Sequence, residues 1–347
     1  MGRLSCAIPG SHVTCVALAC FALVALGPSP LRAQAPHDTA YRAPAAFDVP
    51  AWAFPVVVPG TKVPSVPNDS VTLQHVPGSD AAFTQLRARE RFDVVDWHPD
   101  THRPAPAIVT HGRRPSVMAC GFCHLPDGMG RPENAMIAGL REDYIVRQVE
   151  EMKSHARGSA SPVPFPPTVA MRLIADSLSR AELVEAAKYF ARVRAREMTR
   201  VIETDSVPRT IASNGLYVKS PEGGVETLGR RIIEFPVELN RHELRDSRAE
   251  YVANVPRGSV ARGRALARGD VLPGVRGCQS CHGGELRGTR GAPPIAGRFP
   301  SYLLRQLLGF RSGARATPTS APMQAVAKAL TLDDMIAAAA YAGTLKP

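Results

Sequence analysis

The chain has 347 residues, enough for two or three domains of ordinary size. Hydrophobic residues make up 44%, and 42 Lys+Arg against 31 Asp+Glu give a formal net charge of +11. With 32 prolines besides, this composition allows a buried core and excludes a collagen-like repeat, a long coiled coil and a multi-span membrane protein.

The chain opens with Arg3 and an apolar run from Val13 to Leu26 that is too short to span a bilayer comfortably. Ala33-Gln34-Ala35 then offers a small-x-small cleavage site. This pattern predicts a secretory signal at 1–35, cut after Ala35, and export to the periplasm. An uncleaved anchor is the alternative. A lipoprotein at Cys20 fits less well, because Ala17-Leu18-Ala19 lacks the apolar-small-small order. Residues 36–78 are rich in proline but also carry Trp52, Phe54 and Val56-Val57-Val58. Purely disordered linkers rarely hold such a cluster, so an extended arm packed on the body is expected, with a loose tether as the alternative.

Of seven cysteines, Cys6, Cys15 and Cys20 fall inside the signal. The other four form Cys120-Gly121-Phe122-Cys123-His124 and Cys278-Gln279-Ser280-Cys281-His282, each a C-x-x-C-H. Two thiols three residues apart on one turn can each bond a haem vinyl group. The next residue, His, then supplies the proximal iron ligand. Two disulfides, a four-Cys zinc site and a redox dithiol are the competing uses of such cysteines. Zinc leaves both trailing histidines unexplained, and no thioredoxin-like βαβ pattern flanks either motif.

A shift of 158 residues aligns the two motifs and the segments C-terminal to them: Ala138-Gly139 with Ala296-Gly297, Tyr144 with Tyr302, and Arg147-Gln148 with Arg305-Gln306. Arg157 likewise aligns with Arg315. The first copy then has six extra residues in a Pro-rich loop, Gly158 to Thr168, after which Met171 matches Met323 and Tyr189 matches Tyr341. A fixed-order repeat means one structural unit used twice. Helices are predicted over Asp143–His155 and Ser301–Arg311 from apolar spacing. Further helices are predicted from Ser179 to about Arg194 and from Thr331, each with a capping box, and from Arg257-Gly258 to Arg268. Ser79–Arg91 is the candidate for a helix ahead of the first motif.

His124 and His282 leave each iron one axial position to fill. Met171 and Met323 are the methionines paired under the repeat, each expected to end a loop and precede a helix. A thioether is a soft ligand that raises the reduction potential; core filling is the other use of such a residue. His155 is a rival for the first iron, but its counterpart is Gly313, which favours a surface role. Arg157 and Arg315 could face haem propionates, though solvated helix-end cations are the simpler reading.

Between the repeats, residues 199–256 carry strand patterns at Val201–Thr204, Leu216–Lys219, Val225–Leu228 and Arg231–Pro236. Pro221-Glu222-Gly223-Gly224 makes a turn between two of them.

Each repeated unit resembles a class I cytochrome c domain, and the tandem resembles the soluble di-haem cytochromes c of bacterial respiratory chains. The likeness covers about residues 79–198 and 257–347. It implies a mainly α fold: a signal at 1–35, an arm at 36–78, cytochrome domains at 79–198 and 257–347, and an insert with short strands at 199–256. It implies two covalent haem c groups, held by Cys120, Cys123, His124 and Met171 and by Cys278, Cys281, His282 and Met323. It also implies a carrier of electrons between redox-partner proteins that turns over no substrate. A di-haem peroxidase and the cytochrome subunit of a dehydrogenase or oxidase complex are the alternatives. A proline carbonyl is expected against the proximal His: Pro293 or Pro294 in the second unit. In the first, Glu133-Asn134-Ala135-Met136 stands there instead and Pro132 is the nearest substitute. The positive charge favours partners with acidic docking surfaces. No nucleic acid is expected, and membrane association would come only through a partner or an uncleaved signal.

Overall fold

Apolar residues at helical spacing, broken by proline-rich loops, give short helices with a small β region between the two repeats. The computed structural model describes residues 48–57, 59–63 and 68–347, so the signal, its cleavage site and the start of the arm lie outside the described residues.

In chain order the first elements are β1 (Leu73–Gln74), β2 (Phe83–Thr84), α1 (Ala107–Thr110), α2 (Cys120–His124) and α3 (Glu142–Lys153). Next come α4 (Pro166–Ser177), α5 (Arg180–Phe190), β3 (Thr199–Glu203), β4 (Ser206–Pro208), β5 (Thr210–Ser213) and β6 (Leu216–Lys219). β7 (Val225–Thr227), β8 (Ile233–Pro236), α6 (Leu239–Glu243), β9 (Tyr251–Val255) and α7 (Ser259–Arg268) come after these. The chain ends with α8 (Gln279–His282), α9 (Pro300–Ser312), α10 (Ala321–Ala329) and α11 (Leu332–Gly343). Both predicted capping boxes form, at Ser179–Glu182 and Thr331–Asp334, so each last helix starts with its orphan N–H groups satisfied.

Ser79–Arg91 is not an α-helix, contrary to expectation. It forms β2, paired antiparallel with β1, and one 3-10 turn at Arg87–Arg89. Phe83 and Ala88 face Trp97, Val76 and Leu244 in a small core of their own, and tertiary packing overrides local helix preference there. The single turn α1 precedes the first motif instead. The counterpart in the second unit is the longer α7, which crosses α11 at Gly263. A Cβ there would sit 2.0 Å from the Ala337 carbonyl oxygen, so only glycine permits this approach.

The insert is built from β3, β9 and β8 in that order, with β3 parallel and β8 antiparallel to β9. Two antiparallel pairs, β4–β7 and β5–β6, extend it. The Pro221–Gly224 turn therefore links strands of two different pairs. The sequence patterns missed β4, β5 and β9.

The two halves interlock. Phe299 and Tyr302 from the second repeat join the core of the first. Phe165, at the end of the longer first-copy loop, joins the core of the second, edge-on to Phe54 of the arm at 5.5 Å. The arm is fixed there: Phe54 is 4% exposed, and the Tyr217 hydroxyl donates to the Trp52 carbonyl at 2.9 Å. Among the described residues, no helix is long and apolar enough to cross a membrane.

Candidate haem sites

Both C-x-x-C-H motifs fold as one helical turn, α2 and α8 with its N-cap Cys278. A turn of helix sets the thiols and the following imidazole along one edge, where they line a shared cavity. Both motifs line one continuous cavity of about 1050 Å³, together with Met171 and Met323. That volume lies at the upper end of the roughly 300–1,000 Å³ found for cofactor and ligand sites.

His124 Nδ1 lies 2.8 Å from the Ala135 carbonyl oxygen, and His282 Nδ1 lies 2.7 Å from that of Pro293. An Nδ1–H donating to a carbonyl fixes the tautomer and ring direction and leaves Nε2 with its lone pair. Pro293 thus takes the expected position. In the first unit the acceptor is Ala135, its repeat equivalent, and not Pro132. The contact needs a carbonyl at that place in the turn rather than a proline ring. The Pro132 carbonyl instead accepts from Arg305.

Burial lowers the pKa of both imidazoles, which favours the neutral, metal-ligating form. It pushes the Cys120 thiol up to about 12 and raises those of Cys123 and Cys278. The raised pKa keeps these thiols neutral in the apolar wall, and a thioether, which is neutral too, suits the same burial.

Met171 and Met323 do not sit ahead of their helices as expected. They lie inside α4 and α10. Pro166-Pro167 and Pro322 occupy the first turns, where a missing N–H costs nothing, so each helix starts before its methionine. His155 is exposed beside Arg172 and Asp176 and does not line the cavity. It has φ +60°, the left-handed conformation that Gly313 adopts at the equivalent position with φ +81°.

Arg157 and Arg315 are not solvated: they are 8% and 6% exposed. They bridge the repeats about a local pseudo-twofold. Arg157 donates to Gln148 Oε1 at 3.0 Å and Gln306 Oε1 at 3.1 Å, and Arg315 donates to the same two oxygens. Their backbones pair antiparallel. The matched Gln148 and Gln306 were the available signal for this cluster; periodicity alone could not show that two equivalent surfaces face each other. Arg298 reaches from the second repeat to the carbonyls of Met136 and Ala138, at 2.9 and 3.1 Å, and burial lowers its pKa to about 10. Arg245, which no motif flags, lies 3.6 Å from the Phe122 ring centroid and donates to the Phe122 carbonyl at 2.6 Å.

The residues fit a haem at each motif. Arg157, Arg298 and Arg315 line the cavity, and none has a carboxylate partner among the described residues. The Nε atoms of Arg147, Arg298 and Arg315 are buried and unbonded. Buried guanidinium groups without counter-charge suit a group that carries carboxylates of its own.

No protein-family model matches the chain. It is 24% identical over 242 residues to cytochrome c4 of Azotobacter vinelandii, spanning 69% of this chain and 89% of that protein. It is 25% identical over 233 residues to a thiosulfate dehydrogenase electron acceptor of Stutzerimonas stutzeri, spanning 66% and 80%. Among solved structures, a thiosulfate dehydrogenase from Marichromatium purpuratum aligns with TM-score 0.45 and 26% identity. That alignment covers 68% of this chain, which spans 38% of the other's length. Sequence likeness to named cytochromes and a doubled helical unit with its own C-x-x-C-H turn lead to one conclusion: this is a tandem class I c-type cytochrome, with two covalent haem c groups, that transfers electrons.

Proposed function

We propose that His124 with Met171, and His282 with Met323, would ligate the two haem irons. Cys120, Cys123, Cys278 and Cys281 would form the thioether bonds, within units at 79–198 and 257–347. The observation that carries this reading is the single cavity lined by all eight side chains. The haem supplies reversible one-electron chemistry at iron. The chain's residues hold each imidazole neutral and oriented, would offer a soft thioether as the second ligand, and line the cavity with apolar walls and buried cations. The reading extends to the periplasm, in keeping with the signal at 1–35, and to redox-partner proteins with acidic docking surfaces, in keeping with the positive charge of the chain.

A second reading makes the chain the acceptor subunit of a dehydrogenase. The relative named for that role favours it. Co-purification of a dehydrogenase with the chain from its native host would support it; recovery of the chain alone would not.

Replacing Met323 by His should keep the haem and lower that site's potential by about 0.1 V or more. Met171→His should do the same at the first site. Potentiometric titration of each variant is the test. An unmoved potential would remove that methionine from the ligand set.

A further inference from the structure

We propose that the face around the second motif, and not the first, is where an acidic partner protein docks. This rests on the electron-carrier reading above and goes beyond it by choosing one haem unit and one surface. The two motifs are equivalent in sequence but opposite in exposure. From Cys120 to His124 no residue is exposed, and residues 125–133 after them are all buried. After the second motif, Gly284, Glu285, Arg287 and Arg290 are exposed and lie outside the cavity lining.

The cover over the first motif comes from the chain itself. Arg245 stacks on Phe122, and His242 Nε2 lies 3.3 Å from Arg131 Nη1. Arg196 pairs with Asp127 at 2.8 Å. Among the described residues, no such loop covers the stretch beyond the second motif, where Gly284, Glu285, Arg287 and Arg290 stay exposed.

Charge separates the two faces as well. Near the first motif the exposed cations Arg113 and Arg114 are neutralised by Glu182 at 2.7 Å and Glu90 at 3.1 Å, which leaves Arg91 as an exposed cation with no ion pair among the described residues. Near the second, Arg264, Arg268, Arg276, Arg287 and Arg290 are exposed with no ion pair among the described residues, against Asp270 and Glu285. They belong to one surface. Arg264 and Arg268 share a face of α7, four residues apart. Gly277 packs on the backbone of Arg268 and Gly269, and the Thr289 hydroxyl donates to the Cys281 carbonyl at 2.8 Å. An open motif ringed by unpaired arginines favours approach by a surface rich in carboxylates.

The test uses the reduced, two-haem protein, which is diamagnetic, with poly-L-glutamate as the acidic probe and amide NMR shifts as the readout. Shifts centred on residues 268–290 are expected, weakening steeply with added salt. Arg287→Glu/Arg290→Glu should weaken binding about tenfold. Arg192→Glu/Arg194→Glu, an equal charge change at exposed positions of the first unit, should leave it within about twofold. Shifts centred on 113–131 or 192–194, equal weakening by both variants, or no binding at low salt would overturn the proposal. A visible spectrum of the same sample separates the failures. A colourless protein would sink the electron-carrier reading, whereas a coloured one with shifts elsewhere would sink this face alone.

Discussion

The two haem units start from the same pattern and stabilise it differently. In the second, a ten-residue helix, α7, crosses α11 at Gly263 and the motif beyond it stays open. In the first, the preceding helix shrinks to the single turn α1, and the loop carrying Arg245 closes over the motif. A sequence repeat thus specifies the parts that touch the cofactor, while the outer cover of each copy is free to diverge. The segment that carries His242 and Arg245 acts as a wall of the first motif rather than as a spacer.

That contrast can be broken most severely at Gly263. Alanine there gains about 1 kcal/mol of helix propensity, but its Cβ would meet the Ala337 carbonyl at 2.0 Å. The obstacle is backbone, so sterics win. Gly263→Ala should destabilise the protein by about 3 kcal/mol, read as a lower denaturant midpoint. An unchanged midpoint would mean the α7–α11 crossing does not hold the second unit.

A smaller effect is expected where the two units are alike. Arg157 and Arg315 are equivalent about the pseudo-twofold and bind the same two glutamine oxygens. Replacing either by Gln removes one positive charge from the cavity wall. Each change should lower the haem potentials by about 50 mV, the one-electron equivalent of about 1 kcal/mol. Strongly unequal shifts from the two variants would show that the symmetry is not electrostatic.

The smallest effect concerns pH and sharpens the difference between the two caps. Glu182 of the first unit, bonded to Arg113 and to the Ser179 cap, has its pKa lowered to about 2. A depressed carboxylate adds stability above its unfolded value of about 4.3 and loses it as pH falls toward 2. Glu182→Gln keeps a cap acceptor but removes the charge. Thermal melts of this variant should show a shallower loss of stability between about pH 4.5 and 2 than the parent. Parallel curves would contradict the assignment.

The features legible in the sequence are those set by short-range chemistry. The C-x-x-C-H turns and the two capping boxes at Ser179 and Thr331 lie within a few residues of the groups they serve, whereas the Pro293 carbonyl, eleven residues from His282, was expected from the family resemblance. Ala135 was hidden only because the side chain draws the eye, while the carbonyl makes the contact. Local preference favours a helix at Ser79–Arg91, but packing against Trp97 and Leu244 decides the outcome there. Arg157 and Arg315 looked like solvated cations because each seals against the other repeat, a contact no local pattern encodes. Arg245 reaches its motif across more than a hundred residues of chain, and no spacing rule anticipates that.

Electron transfer by this chain requires two covalently attached haems. Intact-mass measurement of the natively exported, purified protein tests this most directly, since thioether bonds survive denaturation. The mass should equal that of the processed chain plus two haems. A mass equal to the polypeptide alone, or to the chain plus one haem, would contradict it.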